Sequence, residues 1–201
     1  WQGLRCVVLQ GQNGRLTPRS NPSQPLSMPE PNRPIRVRSE PMVTHTYSTH
    51  ATPVGEIMSI LSPRGLVKVV LCDDQFAGAV ADYGARRGEH ADVATQLAQY
   101  FDGQRREFEL ALDWGDATGA YVKLQHALLR IPYARVTTYT ALAADAGLPG
   151  AARVAGTACA KNPLPIVVPC HRVVRADGQV GQYAGGADMK QYLLDLEARH
   201  G

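Results

Sequence analysis

Two short apolar runs, residues 57–61 and 66–72, flank Ser62-Pro63-Arg64-Gly65. Strand-length runs on either side of a four-residue turn signal predict a β-hairpin. Over residues 90–101, Val93, Leu97, Tyr100 and Phe101 recur at helical spacing, with Gly103 as a stop. Phe108, Leu110 and Leu112 then alternate and predict another strand. Residues 113–119 read as a linker broken by Gly115 and Gly119. Beyond it the period changes. Residues 120–130 carry Tyr121, Leu124 and Leu128 on one stripe, with Pro132 marking the end. Residues 138–146 predict a short helix with Thr138 as N-cap. Gly147-Leu148-Pro149-Gly150 is a tight connection into a second, Ala- and Gly-rich helix over 151–161. Helix, short glycine-containing turn, helix is a helix-turn-helix pattern. Pro163, Pro165 and Pro169 impose an extended path, and residues 187–199 predict a terminal helix with Met189, Leu193, Leu194 and Leu196.

The fold class expected is α+β. A small β-rich unit over 44–113 is followed by a mostly helical unit over 118–201. Residues 1–43 show no periodicity and are rich in proline, so they read as a disordered basic tail. The sequence starts on Trp1, and Met28 or Met42 is a candidate natural start.

Charge sharpens this division. The formal net charge is +3 over 201 residues, yet it is segregated. Residues 1–41 hold six arginines and two acids, residues 42–118 six basic residues and eleven acids, and residues 119–201 nine basic residues and five acids. The helical unit therefore suits an anionic partner, and the acidic unit before it does not. No apolar run approaches the roughly 18 residues of a membrane span. No secretory leader is recognisable. Four scattered cysteines without a CxxC pair argue against a disulfide scaffold and for the reducing cytoplasm. His45 with His50, or Cys159 with Cys170 and His171, lack zinc-like spacing, so no metal is expected. No phosphate-binding glycine motif appears, and no cofactor is expected.

The most informative stretch is Pro169-Cys170-His171-Arg172-Val173. A thiol beside His and Arg sits in electropositive surroundings, which should lower its pKa and raise the thiolate fraction. His171 is the nearest base, directly or through a water, and Glu197 is a candidate to orient it. Alone, a Cys-His dipeptide is weak evidence. Its neighbourhood is stronger: IPYARVTTYTALAADAG (131–147), GAARVAGTACAKNPLPIVVPCHRVV (150–174) and GQVGQYAGGADMKQYLLDLE (178–197). In order and spacing these segments resemble the O6-alkylguanine-DNA alkyltransferases, the methylated-DNA–protein-cysteine methyltransferases. Weaker similarity extends upstream to about Thr46, where that family has a small β-rich domain.

The resemblance implies a role for each matching residue. Cys170 would accept the alkyl group, His171 would act with a water as base, and Glu197 would hold its tautomer. Asn162 would brace the active-site turn. Tyr139 would help rotate the nucleotide and donate to the guanine. Arg153 would fill the hole left in the duplex, while Ala152 and Gly156 would let the helix approach the backbone in the minor groove. Arg172 would serve the DNA face. Val173, Tyr183, Ala184, Gly185 and Gly186 would wall the alkylguanine pocket along with Tyr139. The implied partner is double-stranded DNA carrying O6-alkylguanine (with O4-alkylthymine as a second substrate), bound by a monomer. The implied reaction is a single-turnover transfer by base flipping and in-line displacement.

Each residue also has a plainer reading: a core tyrosine at 139, a solvated arginine at 153, a turn-forming asparagine at 162, an exposed helix charge at 197. The chain also departs from the family pattern. Ala120 and Gln125 stand where relatives usually carry phenylalanine and tryptophan, which bears on packing between the units. Ala134 replaces a glycine, so that turn should avoid positive φ. Ala184 lacks the hydroxyl of a serine found in relatives. Competing functions are a non-catalytic alkylated-base-binding protein, a helix-turn-helix regulator and a cysteine hydrolase.

Overall fold

The structure is a computed structural model describing residues 45–201, and the expected tail lies outside the described residues. Three strands lead: β1 (Thr46–Thr52), β2 (Gly55–Ser62) and β3 (Gly65–Val70). Helix α1 (Phe76–Tyr83), the two-residue strand β4 (Arg86–Arg87) and helix α2 (Ala91–Phe101) follow. The sheet order is β3-β2-β1-β4, antiparallel except for the parallel β1–β4 pair. The expected hairpin is β2–β3, closing at Ser62↔Gly65.

β2 is buried on both faces, which is why it reads as an unbroken apolar run. Ile57 faces the main core, whereas Met58 and Ile60 face a second cluster covered by Phe76, Val80 and Tyr83 of α1. β1 and α1 carry no clear sequence signal. β1 is a polar Thr/Ser/His segment, and α1 is built on small residues with one narrow apolar stripe.

The strand expected at 108–112 does not form. Only an isolated bridge, Leu66↔Leu112, joins this segment to the sheet. Phe108, Leu110 and Leu112 still pack against the core, so the alternation reports side-chain facing correctly. The ladder is missing because a side chain takes its hydrogen bonds. Gln96 of α2 accepts from the Glu109 N–H (2.7 Å) and donates to its carbonyl (3.1 Å).

The helical half contains α3 (Ala120–Leu129), β5 (Thr137–Thr138), α4 (Tyr139–Asp145), α5 (Ala152–Ala160), β6 (Val173–Val174) and α6 (Gly186–His200). Thr138 Oγ1 caps α4 by accepting from the Ala141 N–H at 3.2 Å. One continuous core runs from Ile57, Leu66 and Leu97 to Leu124, Leu142, Ile166 and Leu193, with no hydrophobic boundary between the halves. The Val69 N–H of β3 donates to the Pro163 carbonyl at 2.8 Å, tying the sheet edge to the approach to Cys170. No helix among the described residues is long and apolar enough to cross a membrane.

Two expectations about departures are corrected. Gln125 bears on packing inside the helical half: it is fully buried and donates from Nε2 to the Ala158 carbonyl of α5 at 3.0 Å. Ala134 does adopt positive φ, at 58°. Its N–H is thereby aimed at Glu197 Oε2, 2.9 Å away. This charge-assisted bond offsets backbone strain of about 1–2 kcal/mol for a residue with a Cβ.

Candidate active site

Cys170 opens a single 3-10 turn, Cys170–Arg172, at the end of the proline-rich approach. The approach bends sharply at Ile166, a β-branched residue held at φ 73°. Asn162 organises this bend. Its Oδ1 accepts from the Leu164 N–H (3.0 Å), and its Nδ2 donates to the Val168 carbonyl (2.8 Å) and to Cys170 Sγ (3.0 Å). One side chain thus fixes the turn and touches the thiol.

The thiol is only 4% exposed. Burial pushes its pKa up to about 11, against the smaller lowering effects of the Asn162 hydrogen bond and the Lys190 charge. This corrects the expectation of a lowered value. Arg172, which suggested electropositive surroundings, spends its charge elsewhere. Its Nε and Nη2 donate to Glu197 at 2.9 Å each, and its Nη1 donates to the Ile131 carbonyl at 2.7 Å. Buried and fully engaged, Arg172 is also unavailable to DNA phosphates, which corrects its expected place on the DNA face.

Glu197 is the hub. Oε1 accepts from His171 Nε2 (2.9 Å), Tyr100 Oη (2.8 Å) and Arg172, while Oε2 accepts from Arg172 and the Ala134 N–H. Hydrogen bonds from His171 and Arg172 outweigh burial and hold its carboxyl down at about 2, so it is ionised. An ionised carboxylate at 2.9 Å requires the imidazole proton on Nε2. Nδ1 is then a bare lone pair, and it is buried without a partner. Burial also lowers the His171 pKa, so the ring is neutral and able to take a proton at neutral pH.

Of the expected pocket residues, Val173 and Tyr183 lie at this centre, and the others border the sheet half and the start of α6. The Tyr183 ring stands edge-on to His171, with centroids 6.3 Å apart, and its Oη is buried without a partner. Val173 is fully buried in β6, and its carbonyl accepts from Lys190 Nζ at 2.5 Å. Ala184, Gly185 and Gly186 lead into α6. Gly186 has φ 88°, which the absence of a Cβ permits. The Ala184 carbonyl accepts from Cys72 Sγ of the sheet half at 3.7 Å.

Tyr139 begins α4 and leans against this segment. A Cβ on Gly181 would lie 2.7 Å from its Oη, so glycine there makes room for the ring. Tyr139, Ala152, Arg153 and Gly156 line one shallow groove together with Arg175. Helix α5 turns Ala155, Ala158 and Cys159 inward and leaves Arg153 exposed, without an ion pair among the described residues. Arg175, exposed and 3.5 Å from Asp177, lines the same groove beside Tyr139.

Sequence reasoning missed Tyr100, Ala134 and Lys190. Only Ala134 carried a signal, as a departure from the family pattern.

The comparisons with known proteins agree with this geometry. Residues 45–114 match the family model described as the ribonuclease-like domain of 6-O-methylguanine DNA methyltransferase, and residues 120–199 match its DNA binding domain. A methylated-DNA–protein-cysteine methyltransferase of Mycobacterium leprae is 37% identical over 73% of this chain and 88% of its own. An inducible one from Bacillus subtilis is 39% identical over 53% of this chain and 59% of its own. The solved O6-methylguanine methyltransferase of Mycobacterium tuberculosis superposes with a TM-score of 0.72 at 32% identity, covering 79% of this chain and 95% of that one. The same organism's protein in complex with DNA gives 0.70 at 31% identity, over 78% and 94%. With both family models matched and the cysteine, histidine, glutamate and asparagine gathered at one point, the chain belongs to the 6-O-methylguanine DNA methyltransferase family.

Proposed function

We propose that this protein repairs duplex DNA by transferring an alkyl group from the guanine O6 to Sγ of its own Cys170. The guanine oxygen lies inside the base stack, so the nucleotide must be extruded, at an unstacking cost of a few kcal/mol. Helix α5 is suited to the minor groove: Ala152 and Gly156 permit close approach, and Arg153 is free to enter the stack as a planar cation. Arg175 supplies a phosphate contact beside Tyr139.

Cys170 is nearly inaccessible, so admitting the base requires the residues that cover it to move. The thiol proton passes through a water to His171 Nδ1, and Glu197 stabilises the imidazolium that forms. The thiolate attacks the alkyl carbon in line. An S–C bond forms and the O–C bond breaks; Tyr139 Oη gives its proton to the departing guanine and is reprotonated, through water, from the His171 imidazolium. The resting thiol is protonated, its pKa pushed up to about 11 by burial, so the thiolate forms as its proton passes to His171. The product is a thioether, which is not readily hydrolysed, so each molecule acts once. Proton and alkyl group are both accounted for without a cofactor.

One chain supplies every residue of the site, so a monomer suffices. A thiol that must stay reduced suits the cytoplasm. Residues 118–201 bind DNA and carry the chemistry, and residues 44–113 support them.

The observation that carries this reading is His171 Nε2 at 2.9 Å from Glu197, with Nδ1 buried and unpartnered, beside a buried thiol held by Asn162. The test is mass spectrometry after incubation with duplex DNA containing O6-methylguanine. One methyl is expected on the Cys170 peptide, and none in Cys170→Ser. Complete loss of the lesion with Cys170 unmodified would overturn the mechanism.

A further inference from the structure

We propose that Tyr100, on α2 in the sheet half of the chain, is a positioning residue for the His171–Glu197 pair and sets how strongly the carboxylate acts on the imidazole. The proposal rests on the function argued above. Tyr100 lies 97 residues before Glu197, is fully buried and donates to Oε1 at 2.8 Å. Its ring is wedged by Phe101 and Phe108, each with its centroid 5.4 Å away, and by Tyr133 at 6.2 Å. A phenylalanine would fill this space equally well, so packing alone does not explain the hydroxyl.

The choice of oxygen matters. Oε1 is the atom that accepts from His171 Nε2, and Tyr100 Oη lies 3.5 Å from that nitrogen. Oε1 therefore serves three donors, Tyr100, His171 and Arg172, whereas Oε2 serves Arg172 and the Ala134 N–H. Donors sharing one oxygen draw on the same negative charge, so each weakens the others' bond. Tyr100 thereby restrains the pull of Glu197 on the imidazole and keeps the ring easier to hold neutral.

Other groups around the imidazole leave this function to Tyr100. Lys190 and Glu197 face it from α6, Cys170 and Arg172 flank it in the chain, and Tyr183 faces it from the pocket loop. Arg172 and Lys190 oppose protonation by charge. Tyr100 is the donor from the sheet half that acts on the carboxylate itself.

The test is single-turnover methyl transfer from O6-methylguanine duplex, followed against pH. In Tyr100→Phe the acid limb should move up by about half to one pH unit, the size set by one altered hydrogen bond to a charged group. Transfer should slow by up to roughly tenfold near that limb. A 3-fluorotyrosine at position 100 keeps the shape and donates more strongly, so it should move the limb down. A limb unmoved in both variants overturns the proposal, as does lowered thermal stability with an unmoved limb. If Tyr100→Phe does not fold, the fluorotyrosine variant decides by the same criterion. If the wild-type protein transfers no methyl, the functional reading fails separately. The ring nitrogens of His171, titrated by NMR in the free protein, then decide: an upward move in Tyr100→Phe supports the role and no move overturns it.

Discussion

In the sheet half, Ser59 stands between two imidazoles, 2.8 Å from His50 Nε2 and 2.6 Å from His90 Nδ1, and His90 Nε2 reaches Thr46 at 3.0 Å. In the helical half, Glu197 gathers His171, Arg172, Tyr100 and the Ala134 N–H. Both are buried polar networks, and they differ in how they end. Among the described residues, no buried side-chain nitrogen or oxygen before position 115 lacks a partner. After it, Gln125 Oε1, Tyr133 Oη, His171 Nδ1 and Tyr183 Oη all do. A closed network ties strands and a helix start together. An open one leaves hydrogen-bonding capacity for a substrate, a water or a proton, at some expense in stability. The open ends at His171 and Tyr183 lie beside Cys170, where the proposed chemistry would use them.

The largest effect expected on this contrast comes from Glu197→Gln. It leaves the Arg172 guanidinium buried without a counter-charge, which should cost about 3–5 kcal/mol of stability. Chemical denaturation measures that loss, and methyl transfer by the folded fraction should fall with it. Stability within about 1 kcal/mol of wild type would show that the hub holds no uncompensated charge.

Acidification tests the closed network. Burial lowers the pKa of His50 and His90 below the ordinary 6.5, with mutual repulsion adding to the effect at His50. The unfolded chain therefore binds more protons than the folded one below that value. The contribution of these two histidines should be constant above pH 6.5 and fall as the pH drops from 6.5 through the lowered native values. His171 adds a loss of the same sign. Glu197 adds one only between its ordinary 4.5 and about 2. His50→Gln should make the fall below pH 6.5 shallower in equilibrium unfolding while leaving methyl transfer at neutral pH unchanged. An equally steep fall would assign the acid sensitivity to groups other than His50.

The smallest effect is expected at Ala134→Gly. Relief of the positive φ should slightly exceed the added chain entropy, for a gain of about 0.5 kcal/mol. The Glu197 contact is made by backbone, so transfer should be unaffected. A measurable loss of stability would show that the Ala134 Cβ packs usefully.

Much of the site was legible because its chemistry is local. Cys170, His171 and Asn162 fall within ten residues, although the segment between them, expected to be extended, bends at Ile166 and is closed by Asn162. The hairpin, α2 and α3 were legible from their apolar runs and spacing, and the α4–α5 pair from the Thr138 cap, the glycine-containing turn and the Ala- and Gly-rich run that follows. The failures had physical causes. At 108–112, Gln96 replaced a strand partner. At Ala134, a carboxylate 63 residues away made a strained turn worthwhile. At Arg172, adjacency to the cysteine suggested a field acting on the thiol, whereas the guanidinium points to Glu197 and Ile131.

By itself, the sequence determined the α+β class, the basic helical half, the cysteine with its neighbouring histidine, and the family to which those motifs belong. These follow from periodicity, composition and short-range spacing, which survive without knowledge of distant contacts. Only the tertiary structure decided the protonation of the site. Burial raises the thiol's pKa, the Glu197 carboxylate fixes the imidazole proton on Nε2, and Tyr100 arrives from the other half of the chain to share that carboxylate. Desolvation and donor competition depend on which groups meet in space, and residues 97 positions apart meet only through the packed core that joins the two halves.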